Sequence, residues 1–148
     1  NRLFLLRAAE NALRSSAGLD LLRRLQRVGS GEHAGHIGLK HGGLLPISQL
    51  ALNYALQGAL PQKHTLERLR AASDVGIASN EGIEDLIQAY RTISDQRARH
   101  LARCTQQRRL HDNYLRPRET SHLALRQLRN AYAVIPVMQK SLRLGVNT

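Results

Sequence analysis

Two basic side chains occupy positions where a bound anion would stabilise them. Arg97 falls on the apolar face of a long predicted helix, and a guanidinium there needs a partner or a polar cleft, because an unpaired buried charge is costly. Lys40 lies in a glycine-rich stretch shortly before Pro46, where an ammonium group and free backbone amides would meet at a helix N-terminus. Both positions predict contact with a phosphate or a carboxylate.

Each of these residues also has an explanation that needs no ligand. Arg97 could extend its long side chain to solvent or form an ion pair with a nearby acidic residue, and the candidates are Asp85, Asp95 and Glu119. Lys40 lacks the Walker pattern Gly-x-x-x-x-Gly-Lys-Ser/Thr, and lysines on loops are commonly hydrated. Gln96 and His100 belong to the same helical turn as Arg97, so they line the same cleft or face solvent.

Histidines and the single cysteine are the other residues that could ligate a metal or attack a substrate. His33, His36 and His41 lie close together in the sequence, but their spacing matches no zinc module and histidines on loops are commonly exposed. Cys104 has no recognisable His/Asn motif nearby, which favours a buried structural thiol over a nucleophile. No Asp-x-Asp pair that could hold catalytic metal ions follows the Gly-Ser dipeptide at 29–30. We therefore expect no catalytic residue, metal or cofactor in this chain.

Composition and charge narrow the class of protein. A length of 148 residues suits one domain, and 42% hydrophobic content without tryptophan predicts an aliphatic core of the kind that packed helices form. The net charge of +11 favours an anionic partner, unless it is only a solvated surface. Nucleic acid is the least favoured partner, because no groove-reading motif or aromatic interleaving is present. No apolar run reaches the roughly 18 residues of a membrane helix, and the single cysteine together with the missing signal sequence predicts a cytoplasmic location.

Apolar residues at helical spacing predict an all-α fold over residues 1–148. The first helix follows Leu3 to Leu13, and a second, short helix follows Leu19 to Val28. Glycines are then too frequent for a helix interior, so Gly29–Leu45 is predicted to be a loop with a short extended ribbon at Ile37–Lys40. The chain opens inside an apolar run without methionine, which we interpret as the start of a C-terminal fragment of a longer protein.

Two middle helices have their own start and stop signals. Pro46 suits the first turn of a helix, which should end at Gly58. Thr65 is predicted to cap the next helix, which should run to Val75 and end at Gly76.

The last two predicted helices are the longest. Ser79 caps a helix of about thirty residues that carries Arg97. Thr120 or Ser121 begins the final helix, which Pro136 should kink. Its buried stripe is predicted to comprise Leu125, Leu128, Tyr132, Ile135, Met138 and Leu142. Together the helices predict a mostly antiparallel four-to-five-helix bundle.

An ordered set of motifs along nearly the whole chain resembles the nucleotidyltransferase substrate-binding domain family. The motifs are Gly38-Leu39-Lys40, Gly43, Pro46-Ile47, Thr65-Leu66-Glu67-Arg68-Leu69, Ala89-Tyr90, Arg97 with His100, and Asn113 with Pro117. None is specific alone, but their order and spacing together are. Members of that family are C-terminal helical domains of bacterial signalling proteins, which also carry a cyclic-nucleotide-binding module, paired CBS domains and a nucleotidyltransferase-like domain.

The resemblance implies a set of substrate-binding residues. Matching positions in this chain are Lys40, Thr65, Arg68, Arg97, His100 and Asn113. Three polar positions of the family are absent, because Gly38 and Gln49 replace aspartates and Leu52 replaces an arginine.

Three functions remain open from the sequence. The resemblance implies a bundle that packs beside an upstream nucleotidyltransferase-like domain and presents a protein or small-molecule acceptor to it, while that domain supplies magnesium and a nucleoside triphosphate. The alternative is a non-catalytic regulatory module that docks to a sister or sensor domain, which the three lost polar positions favour. The third is a basic module that binds nucleic acid through its charge alone. Exposed leucines on bundles also leave a homodimer open.

Overall fold

Five α-helices and one small sheet make up the computed structural model, which describes residues 2–14, 25 and 27–146. The helices are α1 Arg2–Arg14, α2 Leu45–Gln57, α3 Thr65–Asp74, α4 Asn80–Gln106 and α5 His122–Val146. The strands are β1 Ile37–Gly38 and β2 Tyr114–Leu115. The predicted all-α fold class is therefore confirmed. Within the described ranges no helix combines the length and the apolarity that a membrane span needs.

One aliphatic core joins the helices. The most extensive helix contact is between α4 and α5, while α2 packs against α3 and α1 contacts both α2 and α5. The largest fully buried side chains are Tyr132, Ile37, Leu39, Ile47, Leu50, Leu69, Ile83, Leu86, Ile87, Ile93, Leu115 and Leu128. Burying such a side chain contributes about 1.5–3 kcal/mol, so this core is the main source of stability. The predicted stripe of α5 is buried at every position except Leu125, which is half-buried.

Side-chain caps begin α4 and α5 where the sequence predicted them. The hydroxyl oxygen of Ser79 accepts the backbone N–H of Gly82 at 3.2 Å. Ser121 accepts the N–H of Ala124 at 3.1 Å, which selects it over Thr120 as the start of α5. That helix continues through Pro136, and the kink expected there stays a prediction.

Thr65 does not cap α3, so that prediction was wrong. The residue in the N-cap position is His64, whose backbone is extended and whose side chain makes no capping bond. Thr65 is instead the first helical residue, and its hydroxyl lies 3.1 Å from the hydroxyl of Ser48 on α2. The C-terminal prediction holds, since α3 ends at Asp74 and Gly76 follows with a positive φ of 72°.

The prediction of a second, short helix from Leu19 to Val28 is wrong at its C-terminal end. Leu19 lies outside the described residues, but Arg27 forms an antiparallel bridge with Ile37, and the N–H of Val28 donates to the carbonyl of His36 at 2.8 Å. This part of the chain is therefore extended. The ribbon expected at Ile37–Lys40 is confirmed over Ile37–Gly38, which pairs antiparallel with β2.

The glycine-rich segment ends in a helical turn rather than a loop. Lys40–Leu44 forms a π-helical turn that runs directly into α2, and the N–H of Leu45 donates to the carbonyl of Lys40. The helix therefore begins at Lys40 rather than at Pro46, and the anion contact expected for Lys40 stays a prediction. Gly43 is required here, since an added Cβ would lie 2.5 Å from the ring of buried Tyr132.

Candidate functional site

The connecting segment, residues 107–121 between α4 and α5, carries most of the polar groups that could form a site. The guanidinium of Arg97 on α4 donates through Nε to the side-chain oxygen of Asn113 at 2.6 Å. The backbone carbonyl of Asn113 accepts the N–H of Leu39 at 2.9 Å. Two residues implied by the family motifs are thus brought together. Among the described residues, none of the three acidic partners expected for Arg97 pairs with it.

Next to this pair, three chemically active side chains converge. His100 on α4 is 1% exposed, and its Nε2 lies 2.7 Å from Oδ1 of Asp112. The fully buried Sγ of Cys104 lies 3.5 Å from the same nitrogen. The carboxylate of Asp112 also accepts the N–H of Tyr114 at 2.9 Å. Burial alone would raise the pKa of Asp112, but the hydrogen bonds from Tyr114 and His100 outweigh it and lower the pKa below its ordinary value.

This arrangement does not form a nucleophile with a proton relay. A Cys-His-Asp relay uses one imidazole nitrogen for the nucleophile and the other for the carboxylate. Here both Cys104 and Asp112 approach Nε2 of His100. The buried thiol that we expected is confirmed, and the sequence analysis did not foresee its contact with His100. The spacing of four residues between His100 and Cys104 places both on one helical face, which is the signal that would have revealed the contact.

The other three residues implied by the resemblance lie elsewhere. Lys40 is exposed at the start of the π-helical turn, Thr65 contacts Ser48, and Nε of Arg68 donates to the carbonyl of Gln62 at 3.0 Å. In the part of the chain that the structure describes, no hydrogen bond or ion pair joins these three to Arg97, His100 or Asn113. Their role in substrate binding stays a prediction.

The histidine-rich segment packs against β2 without forming the metal cluster that we considered. The ring of His33 stacks on Tyr114 with centroids 4.0 Å apart, and the ring of His36 lies 5.6 Å from that of His33. His41 is exposed. Burial lowers the pKa of His36, and the charge of Arg116 lowers it further, which favours the neutral imidazole.

A basic cleft opens between this segment, the connecting segment and the start of α5. Its titratable lining residues are Arg27, His36, Arg116, Arg118, Glu119 and His122, and its volume is about 700 Å³. Three guanidinium groups thus face one carboxylate, and that carboxylate is already shared, because Glu119 accepts from Arg109 at 3.2 Å and from Arg116 at 3.3 Å. Nδ1 of His36 is buried and has no hydrogen-bond partner among the described residues. The cleft has the size of a small-molecule site and a positive potential.

The sequence analysis did not predict the basic cleft, because the pairing of two short strands brings its walls together. Ile37 pairs with Leu115 in register, and this pairing sets the loop that precedes β1 beside the residues that follow β2. Arg27 joins them through its bridge to Ile37. Strands of two residues have no periodic sequence pattern, so nothing local announced the pairing.

A family model described as "Putative nucleotidyltransferase substrate binding domain" matches residues 2–146. No curated protein and no solved structure matches this chain. The match covers the five helices and both strands. It therefore includes the basic cleft, the Arg97–Asn113 pair and the group formed by His100, Cys104 and Asp112. The chain therefore belongs to the nucleotidyltransferase substrate-binding domain family.

Proposed function

We propose that this domain binds an anionic acceptor substrate in the basic cleft and presents it to a nucleotidyltransferase domain of the same protein. The observation that carries the proposal is a cleft of about 700 Å³ whose arginines outnumber its carboxylates, in a domain of net charge +11. An anion with several oxygens, such as a phosphate or a carboxylate, suits guanidinium groups because they donate two parallel hydrogen bonds.

Distinct residues of the cleft would bind and orient the acceptor. Arg27 and Arg118 are exposed at its rim and would neutralise the substrate charge. Nδ1 of His36, buried without a partner among the described residues, would hydrogen-bond a neutral polar group of the substrate. Such fixed contacts place a reacting group in line with its nucleotide, which is how a binding wall contributes to catalysis.

The residues implied by the family motifs support this cleft indirectly. Arg97 and Asn113 fix the connecting segment to α4, and His100 fixes it again through Asp112. This segment carries Arg116 and the rest of one cleft wall. The remaining three residues, Lys40, Thr65 and Arg68, would contact the outer part of the substrate or the neighbouring domain. There the charges of Lys40 and Arg68 would offset phosphate charge.

The wider context follows from the resemblance. We infer a bacterial signalling protein of the cytoplasm in which sensor modules, a cyclic-nucleotide-binding module and CBS domains among them, precede the nucleotidyltransferase-like domain. In that arrangement magnesium and the nucleoside triphosphate belong to the neighbouring domain.

Calorimetric titration of the 148-residue chain with pyrophosphate and with citrate tests the proposal, since the two probes carry phosphate and carboxylate oxygens. Arg118→Ala should lower the affinity for the tighter-binding probe roughly fivefold. This loss corresponds to about 1 kcal/mol of binding free energy for a partly exposed contact. Arg126→Ala on the exposed face of α5 removes the same charge outside the cleft and is the matched control. Equal weakening by both variants would show that only the overall charge matters.

A docking module is the second candidate, and one observation favours it. Leu52 replaces the arginine of the family on α2 and is 41% exposed, so this position presents apolar rather than basic surface. A domain that docks through α2 would bind its neighbour more weakly after Leu52→Arg, whereas a substrate cleft at Arg118 would keep its probe affinity in that variant. Titrating Leu52→Arg both with pyrophosphate and with the neighbouring domain separates the two functions.

A further inference from the structure

We propose that His100, Cys104 and Asp112 form a site for a thiophilic divalent cation, for which Zn²⁺ has the matching chemistry. Their donor atoms, Nε2, Sγ and a carboxylate oxygen, all lie within 4.8 Å of one another. Imidazole, thiolate and carboxylate are the three ligand types that Zn²⁺ binds in proteins. None of the three residues lines the basic cleft, so the proposal does not depend on the proposed function.

The separation of Sγ from Nε2 matches a tetrahedral zinc ion, and movement of Asp112 would adjust the other two separations. Zinc bonds of ordinary length separate a nitrogen and a sulfur ligand by about 3.6 Å, and a nitrogen and an oxygen ligand by about 3.3 Å. The observed separation of Sγ from Nε2 is 3.5 Å and that of Nε2 from Oδ1 is 2.7 Å. The carboxylate oxygen of Asp112 lies within 4.8 Å of Sγ and has to move to about 3.3 Å from Nε2 and about 3.6 Å from Sγ. Asp112 lies on the connecting segment, and its side chain is 24% exposed.

A cation satisfies this cluster better than a proton does. Nε2 of His100 can donate one proton, whereas Cys104 and Asp112 both approach that nitrogen. An ion between the three atoms accepts a lone pair from each. The charges also balance, because a thiolate and a carboxylate neutralise a dication, and this lowers the cost of charge at a position where His100 is 1% and Cys104 is 0% exposed.

Metal binding changes where the protons of Cys104 and His100 lie. The Cys104 thiol releases its proton to solvent and forms the metal–sulfur bond as a thiolate. In the metal-bound state the His100 ring carries its proton on Nδ1, which leaves the Nε2 lone pair for the metal. Asp112 binds through its carboxylate, so the metal–sulfur bond forms with release of the Cys104 proton. Of the three ligands, His100 also lines a groove of about 540 Å³ between α4 and the start of α5.

Cobalt titration of the reduced, metal-free 148-residue chain tests the site. Cys104 is the single cysteine, so a thiolate-to-Co²⁺ charge-transfer band in the near ultraviolet reports this residue and no other. We expect the band to saturate at one equivalent, together with visible bands of the intensity that tetrahedral cobalt gives, and added Zn²⁺ should abolish both by displacement. A chain that shows no charge-transfer band at saturating cobalt overturns the proposal.

Three variants separate a three-ligand site from adventitious binding. Cys104→Ser should remove the charge-transfer band, and Asp112→Asn should weaken cobalt binding at least about 100-fold, since even residues behind metal ligands contribute about 10–100-fold. His36→Gln alters the other histidine cluster and should leave the titration unchanged. Circular dichroism checks that each variant folds. Unchanged affinity in Asp112→Asn, or a loss in His36→Gln equal to that in Asp112→Asn, contradicts the site.

Discussion

Replacing Gly43 by alanine should destabilise the domain by about 1–3 kcal/mol. The added Cβ would lie 2.5 Å from Cε1 of Tyr132 and 2.8 Å from Cδ1 of Ile93, both on fully buried side chains. Overpacking of this kind costs about 1–3 kcal/mol. Displacing Tyr132 would also break the bond from its hydroxyl to the carbonyl of Gly38, now 2.9 Å long, at a cost of about 1 kcal/mol. The higher helix propensity of alanine returns about 1 kcal/mol, which gives the net figure.

Urea unfolding followed by circular dichroism measures this difference directly. Gly29→Ala is the matched control, because an added Cβ there meets nothing within 4 Å, and we expect a change below about 0.5 kcal/mol. If Gly43→Ala is no less stable than the control, the close packing of the π-helical turn on α5 is wrong. A change in the slope of the denaturant curve would instead indicate altered compactness of one state.

Two further predictions concern the connecting segment. A double-mutant cycle of Arg97→Ala and Asn113→Ala, measured by urea unfolding, should give a coupling free energy of about 1–2 kcal/mol for this half-buried, charge-assisted bond, and additive effects would contradict the contact. Because the pKa of Asp112 is lowered, the folded state binds fewer protons than the unfolded state near the ordinary pKa of about 4. The resulting stability is present above that pH and is lost as the pH falls through the folded pKa. Asp112→Asn should therefore flatten the fall of unfolding free energy below about pH 4, and an unchanged profile would contradict the hydrogen bonds of this carboxylate.

The helices were predictable because their signals are local. Apolar spacing and glycine or serine boundaries lie within a few residues of each end, as at Ser79 and Gly76. The prediction that Thr65 caps α3 was wrong because the N-cap position depends on backbone angles. His64 has the extended φ and ψ of an N-cap residue, −97° and 148°. The loop prediction was wrong at Lys40–Leu44 for another reason. The two glycines of this segment favour a loop, and its helical turn depends on tertiary packing against Tyr132.

The candidate site was predictable only in part. Arg97 and Asn113 were both implied by the order of the family motifs, but their contact spans 16 residues and follows from the return of the connecting segment onto α4. His100 and Cys104 share a helical face and could have been paired from the sequence. Asp112 joins them from a loop, for which spacing along the chain gives no signal.

The most direct measurement of the central claim is a two-dimensional ¹H–¹⁵N NMR titration of the chain with pyrophosphate. If the basic cleft binds an anion, the largest saturable shifts should belong to backbone amides that border it, those of Gly35, His36, Arg116 and Arg118. The amide of Arg126, outside the cleft, should move little. Shifts that spread over all basic surfaces without saturation would contradict a substrate site in this cleft.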